Sequence, residues 1–168
     1  VAEGLAKSQE DELTFDQVCK AVQMVYDQVN GSFSVVTLVA DYGLIAFRDP
    51  YGNRPLVWGR RKEKRSADQN HILPSGESYM VASESVALSF NGYEIVKDLA
   101  PGEVLFIEQS GKVHSKIIQS NQPNQARHCM LEWVYFASPL SNIDQVPVYA
   151  SRIQLGKQLA IQVKKAYQ

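Results

Sequence analysis

Residues 33–58 constrain this chain more than any other stretch. Phe33–Ala40 is rich in Val, Thr and Leu, Asp41-Tyr42-Gly43 makes a turn, and Leu44–Arg48 returns. Asp49-Pro50-Tyr51-Gly52 then places Asp, Pro and Gly where a type I turn prefers them, and Arg54–Trp58 reads as a third strand. Short strands joined by turns this tight can only run antiparallel, so the spacing predicts a three-stranded meander over 33–58.

Around it the patterns alternate. Residues 1–12 are polar and predict a loop. Thr14-Phe15-Asp16-Gln17 is a capping box, and Val18, Val22, Val25 and Val29 follow on one helical face until Asn30-Gly31. Residues 60–78 predict a long solvated loop with a cluster of Arg60, Arg61, Lys62, Lys64 and Arg65. No aromatic residues interleave with those charges, as a nucleic-acid surface would require. Tyr79–Ala82 reads as a strand and 84–91 as a short helix capped by Ser83, with Glu84 at the positive end of its dipole. Glu103–Glu108 and Lys112–Ile118 form a hairpin about Ser110-Gly111. Residues 120–127 read as a linker, Met130–Ala137 as an aromatic-rich strand, Ser138–Pro147 as irregular, and Val148 onward as a helix.

Composition excludes several classes. The net charge of −1 gives no electrostatic footprint for nucleic acid or an anionic membrane. No apolar run approaches the ~20 residues of a membrane helix. Two cysteines, Cys19 and Cys129, are too few for a disulfide scaffold, which points to a cytoplasmic setting. Cys19 reads as a packing residue, and His71, His114 and His128 as surface residues. The chain opens on Val1 and closes inside a helical pattern with no stop signal near Gln168, so both ends read as cut from a longer protein, with proteolytic processing as the alternative.

Four segments carry a family resemblance. Phe47-Arg48-Asp49-Pro50-Tyr51-Gly52-Asn53-Arg54-Pro55-Leu56 resembles the RDPxGxxPL hairpin of class II glutamine amidotransferases. Val81-Ala82-Ser83-Glu84-Ser85 and Asp98-Leu99-Ala100-Pro101-Gly102-Glu103 look like the ASES and PGE segments of the same domains, which glucosamine-phosphate synthases and asparagine synthetases also share. Cys129-Met130-Leu131-Glu132-Trp133-Val134-Tyr135-Phe136-Ala137 and the helix with Arg152 and Gly156-Lys157 resemble the domain junction of the amidophosphoribosyltransferases.

That resemblance implies an α+β fold: the layered antiparallel sheets of N-terminal-nucleophile hydrolases, incomplete here, over residues 1–127. The first strand and helix of a phosphoribosyltransferase α/β domain would follow over 128–168. It implies an enzyme that takes ammonia from glutamine and uses it to displace pyrophosphate from phosphoribosyl pyrophosphate, with Mg²⁺, in the first committed step of purine synthesis. The parent is expected to be a homo-oligomer. The nucleophilic cysteine and the phosphate-binding loop would lie outside residues 1–168, so no catalytic residue is carried over and this piece alone is expected to be inactive. Arg48, Asp49, Gly52, Pro55, Ser83, Glu84 and Glu132 match family motifs and are expected as scaffold, making turns, caps and ion pairs; a direct role at the glutamine site is the alternative. Some relatives carry a 4Fe–4S cluster, and Cys129 falls at one of its ligand positions. Ala137-Ser138-Pro139-Leu140-Ser141 departs from the usual Ala-Arg-Pro-Asp-Ser, losing one cation and one anion together. The last helix should expose Ile153, Leu155 and Leu159, because the sheet it packs on in the family lies further downstream. The alternatives are another class II amidotransferase, such as a glucosamine-phosphate synthase, and a catalytically dead binding module of the same fold.

Overall fold

A computed structural model describes residues 13–62, 76–119 and 126–167. The expectations for residues 1–12, for most of the 60–78 loop including His71, and for most of the 120–127 linker fall outside the described residues.

Helix α1 (Phe15–Gln28) starts at the expected capping box: the Thr14 N–H donates to Gln17 Oε1 at 2.8 Å, and Thr14 Oγ1 accepts from the Gln17 N–H. It ends at Gln28, two residues before Asn30. Seven strands then build two sheets. The first has the order β1-β2-β6-β7: β1 (Ser34–Val39), β2 (Gly43–Arg48), β6 (Glu103–Glu108) and β7 (Val113–Ile117). The second has the order β4-β3-β5: β3 (Val57–Lys62), β4 (Glu77–Ala82) and β5 (Glu94–Asp98). Every pairing is antiparallel.

Strand alternation decides the layering. On β2 and β6, Ile45, Phe47, Val104 and Phe106 face α1 and pack on Val18, Val22 and Tyr26. Their neighbours Ala46, Leu105 and Ile107 face the other way, onto Leu56, Trp58 and Leu99. Helix α2 (Ser85–Phe90) covers the far side of the second sheet, where fully buried Leu88 presses on Gly59 so closely that a Cβ there would meet Leu88 Cδ2 at 2.7 Å. The order is therefore helix, sheet, sheet, helix.

Three local expectations fail for physical reasons. The 33–58 meander does not close, because β3 leaves for the second sheet. The Asp49–Gly52 turn forms, but Asp49 holds the chain well beyond it. Its carboxylate accepts from the Tyr51 N–H at 2.9 Å and the Asn53 N–H at 3.1 Å, and the segment to Leu56 crosses between layers. The short helix begins at Ser85, with Glu84 rather than Ser83 at the cap and no side-chain capping bond. Met130–Ala137 is not a strand. Residues 132–136 form a π-helical turn closed by the Ala137 N–H to Glu132 O bond at 3.0 Å. Adjacent Glu132 and Trp133 are both buried, which the two-residue period of a strand does not allow when only one face is covered.

Strand β5 has no sequence signal of its own, since its Glu-Ile-Val-Lys-Asp lies mostly exposed at a sheet edge. A two-residue hairpin, β8 (Asn142–Ile143) with β9 (Val146–Pro147), interrupts the expected irregular stretch. Helix α3 (Val148–Ala166) forms where expected and exposes Ile153 (41%), Leu155 (41%) and Leu159 (64%). Among the described residues no helix is long and apolar enough to cross a membrane.

Cys19 is a core residue of α1, and burial pushes its thiol pKa up, with nearby Lys116 opposing only in part. Cys129 is half-buried. In the native chain Cys19 should alkylate more slowly than Cys129, because its thiol is buried in the α1 core and burial disfavours its thiolate. Mass spectrometry of a timed iodoacetamide reaction checks this; equal rates would place Cys19 at the surface.

Candidate functional site

The motif residues converge on one place, where the two-sheet body meets the 126–148 segment. Arg48, at the end of β2, is completely buried. Its guanidinium has five N–H donors, and five acceptors meet them. Nε donates to Arg54 O at 2.8 Å, Nη1 to Leu99 O at 2.7 Å and Nη2 to Gly52 O at 2.7 Å. The remaining two form a fork on Asp144, Nη1 to Oδ1 at 2.7 Å and Nη2 to Oδ2 at 2.8 Å. Arg48 thus ties three carbonyls of the body to one carboxylate of the junction hairpin.

The turn motifs brace that cation. Gly102 N–H donates to Asp49 O at 3.0 Å, and Leu99 N–H to Leu56 O at 2.8 Å, so the Asp-Pro-Tyr-Gly and Pro-Gly-Glu turns lie against each other. Gly52 (φ 63°) sits where a Cβ would lie 2.7 Å from Pro101 Cγ and 3.4 Å from Arg48 Cζ. Tyr26 reaches in from α1, its hydroxyl donating to Arg48 O at 2.8 Å; burial and then the Asp49 carboxylate raise its pKa.

A second contact comes from Glu84 and Ser85. Glu84 Oε2 accepts from the Ser138 N–H at 2.7 Å and the Ser141 hydroxyl at 2.8 Å, and Ser85 Oγ accepts from the Asn142 N–H at 2.8 Å. Ser138 therefore meets Glu84 through its backbone, and Leu140 is 81% exposed. A third contact sets Arg54 Nη1 2.7 Å from buried Glu132 Oε1, off the axis of a hydrogen bond but within ion-pair reach, with the same guanidinium 5.7 Å from the Phe136 ring centre. His128 Nδ1 stands 3.1 Å from Asp144 Oδ2. Arg152 of α3 donates Nε to Trp133 O at 2.8 Å and Nη2 to Ala137 O at 2.7 Å, tying the π turn to the helix.

A cleft of about 610 Å³ opens beside the fork, lined among others by Asp98, Glu103, Asp144, Lys97 and Asn142. The Asp98 carboxyl titrates above the ordinary range, first because it is buried and then because Asp144 faces it; Arg48 opposes the shift in part.

Of the residues singled out in the sequence, Arg48, Asp49 and Gly52 build the central knot, Glu84 and Glu132 bind the junction, and Pro55 precedes β3 on the crossing between sheets. Ser83 takes no part in the capping expected of it. Cys129 lies in the irregular run before the π turn, far along the chain from Cys19 in the α1 core. Among the described residues no three His, Cys, Asp or Glu side chains group as metal ligands. Sequence reasoning missed Asp144, and it matched Arg152 to the family's helix without finding its role. Asp144 could have been found from Ile143-Asp144-Gln145-Val146, two polar residues between two β-branched ones, although Gln145 is a poor turn former. The arrangement holds segments together; its charged groups face one another and backbone carbonyls or amides, while Glu132 Oε1 and Trp133 Nε1 are buried without a hydrogen-bond partner.

No family model matches the chain. Among curated proteins it is 36% identical over 158 residues to the amidophosphoribosyltransferase of Haemophilus influenzae, covering 94% of this chain and 29% of that protein. With the amidophosphoribosyltransferase of Escherichia coli K12 it shares 35% identity over 156 residues, covering 93% and 29%. With that of Schizosaccharomyces pombe it shares 37% over 162 residues, covering 90% and 28%. Among solved structures it resembles the glutamine phosphoribosylpyrophosphate amidotransferase of B. subtilis complexed with ADP and GMP, at TM-score 0.66 and 30% identity over 95% of this chain and 30% of that one. It also resembles an allosteric regulatory enzyme of purine biosynthesis, at TM-score 0.68 and 29% identity over 96% and 30%. The chain spans under a third of the length of these relatives.

Proposed function

The chain is homologous, along nearly its whole length, to one stretch of the amidophosphoribosyltransferases, and on that premise we propose that it serves as the part of such an enzyme where the glutaminase half is joined to the transferase half. Residues 1–127 are the later part of a class II glutamine amidotransferase domain, and 128–168 the junction and start of a phosphoribosyltransferase domain. The parent makes phosphoribosylamine from phosphoribosyl pyrophosphate and ammonia released from glutamine, in purine biosynthesis, and works in the cytoplasm as a homo-oligomer. One observation carries the reading: the similarity to relatives of that name extends over 158 residues, through both the sheet sandwich and the junction segment. The helix, sheet, sheet, helix order supports an N-terminal-nucleophile hydrolase fold for the first part.

Within that enzyme this stretch is a joint, and its chemistry is positioning. Ammonia must pass from one half to the other, so the two must be held in a fixed relation. Arg48, Glu84 and Arg54 supply that hold. A four-ligand iron–sulfur cluster does not fit these residues alone, since Cys129 is the one cysteine at the junction. Cys129 is the ligand this chain would contribute. Mg²⁺ would be held by residues of the parent outside 1–168.

The test is a graft. The matching stretch of the Escherichia coli amidophosphoribosyltransferase is replaced by residues 14–168, and glutamine-dependent and ammonia-dependent formation of phosphoribosylamine are both followed. Both activities should persist within about tenfold of the parent, a loss on the scale of ~1.4 kcal/mol. A folded chimera dead in both would overturn the proposal. The 168-residue chain by itself is expected to release neither glutamate from glutamine nor pyrophosphate from phosphoribosyl pyrophosphate; either product above buffer, abolished by Cys19→Ala or Cys129→Ala in the glutamine assay, would relocate the active site.

A further inference from the structure

Among the described residues the apolar clusters do not cross the junction. Val18, Phe47 and Phe106 belong to one core, and Trp58, Leu99 and Leu105 to a second. The third, Trp133, Ala137, Ile143 and Val148, is drawn wholly from residues 133–148. The C-terminal segment therefore has a small core of its own, and what binds it to the body is mainly polar: the Arg48 fork on Asp144, Glu84 with Ser138 and Ser141, Ser85 with Asn142, and Arg54 beside Glu132.

The fork is built asymmetrically. Three of the five Arg48 bonds go to carbonyls of the body, so the guanidinium keeps its place whether or not Asp144 is present. Among the described residues the Asp144 carboxylate has no second partner in the body, and elsewhere only the backbone of Asp144 approaches it, at the Asp98 carboxyl. It projects from a turn in which Asp144 (φ 47°) and Gln145 (φ 66°) are both left-handed, a conformation that suits Asn-Gly and disfavours Gln. The turn holds its shape against local preference while Arg48 grips it. Asp144 also borders the 610 Å³ cleft, with 21% of its side chain exposed, so water has a route to both charges when they part. That hydration lowers the cost of separating a pair that would be prohibitive in a dry interior.

We propose that Arg48 and Asp144 form a conformational latch, with segment 128–167 alternating between a docked state closed on the body and a released state in which the two-sheet body stays folded. The latch stands on this geometry and does not depend on the reaction proposed above. In whatever protein carries it, the segment that holds the third core and α3 can shift as a unit without disturbing the sheets.

Hydrogen exchange on the 168-residue chain tests it. Asp144→Ala should speed exchange of the amides of 142–160 by about tenfold or more, while those of β2 and β6 change by less than about twofold, the signature of a local opening distinct from global unfolding. Asp144→Asn, which keeps the shape and one acceptor, should produce a smaller rise confined to the same amides. Equal acceleration in β2, β6 and α3 with either variant would show one cooperative unit and overturn the latch. Unchanged exchange in 142–160 with Asp144→Ala would overturn it too, because Asp144 would then hold nothing.

Discussion

Arg48→Ala is expected to destabilise the folded chain by about 3–5 kcal/mol, the range for removing one member of a buried ion pair. Asp144, 21% exposed, can recover part of its hydration, which taken alone would lower that figure. The larger loss lies in the body. The carbonyls of Leu99 and Gly52 accept from Arg48 at buried positions, and each left without a donor costs about 1–3 kcal/mol. A cavity the size of the side chain opens as well, at a site where Gly52 and Pro101 are already in contact. Arg48→Lys should recover less than half of the loss, because an ammonium carries three donors on one atom and cannot meet five acceptors spread round a plane. Urea unfolding followed by circular dichroism gives both values. A change below about 1 kcal/mol for Arg48→Ala would mean that the five bonds are replaced by water, and that this cation does not hold the fold.

How much of this was legible beforehand depends on the range of the interaction. Helix α1, the β6–β7 hairpin and α3 were readable because their signals are local: a capping box, a turn pair and a periodic helical pattern. The β3 crossing was not. Pro55 to Trp58 looks the same whether the strand joins its predecessor or a second sheet, and the choice is made by Asp49 holding the chain open and by Leu56 and Trp58 filling the space under Leu105. The π turn was misread for the opposite reason. Its Trp-Val-Tyr-Phe run has strong local strand preference, and Arg152, nineteen residues from Trp133, overrides it by binding the turn's carbonyls. Motif resemblance located Arg48 and Glu84 but could not say what they touch. Their partners across the junction, Asp144 for Arg48 and Ser138 and Ser141 for Glu84, lie 96 and 54–57 residues away, and no spacing rule reaches that far.

The Pro101-Gly102 turn shows how strictly a motif glycine can be required. Gly102→Ala is expected to cost about 3 kcal/mol or more, among the large effects that single substitutions produce. Two effects combine. The backbone is left-handed at φ 70°, which costs a residue with a Cβ roughly 1–2 kcal/mol. The added Cβ would also lie 2.7 Å from the Gln119 carbonyl carbon and closer still to its oxygen. That obstacle is backbone, and it cannot swing aside. Gln119 follows Ile118, whose N–H donates to Gly102 O at 3.0 Å, so relieving the clash breaks the bond that closes the sheet edge onto the turn. The same turn supplies the N–H to Asp49 O, so the displacement reaches the Arg48 knot. Gly76→Ala separates the two effects. Gly76 has φ 68° and nothing within 4 Å of a Cβ, so it carries the backbone penalty without the collision. Its cost should stay near ~1 kcal/mol. Urea midpoints of the two variants, measured side by side, give the difference. Equal midpoints would show that Gln119 yields freely, and that the turn needs its glycine for backbone conformation alone.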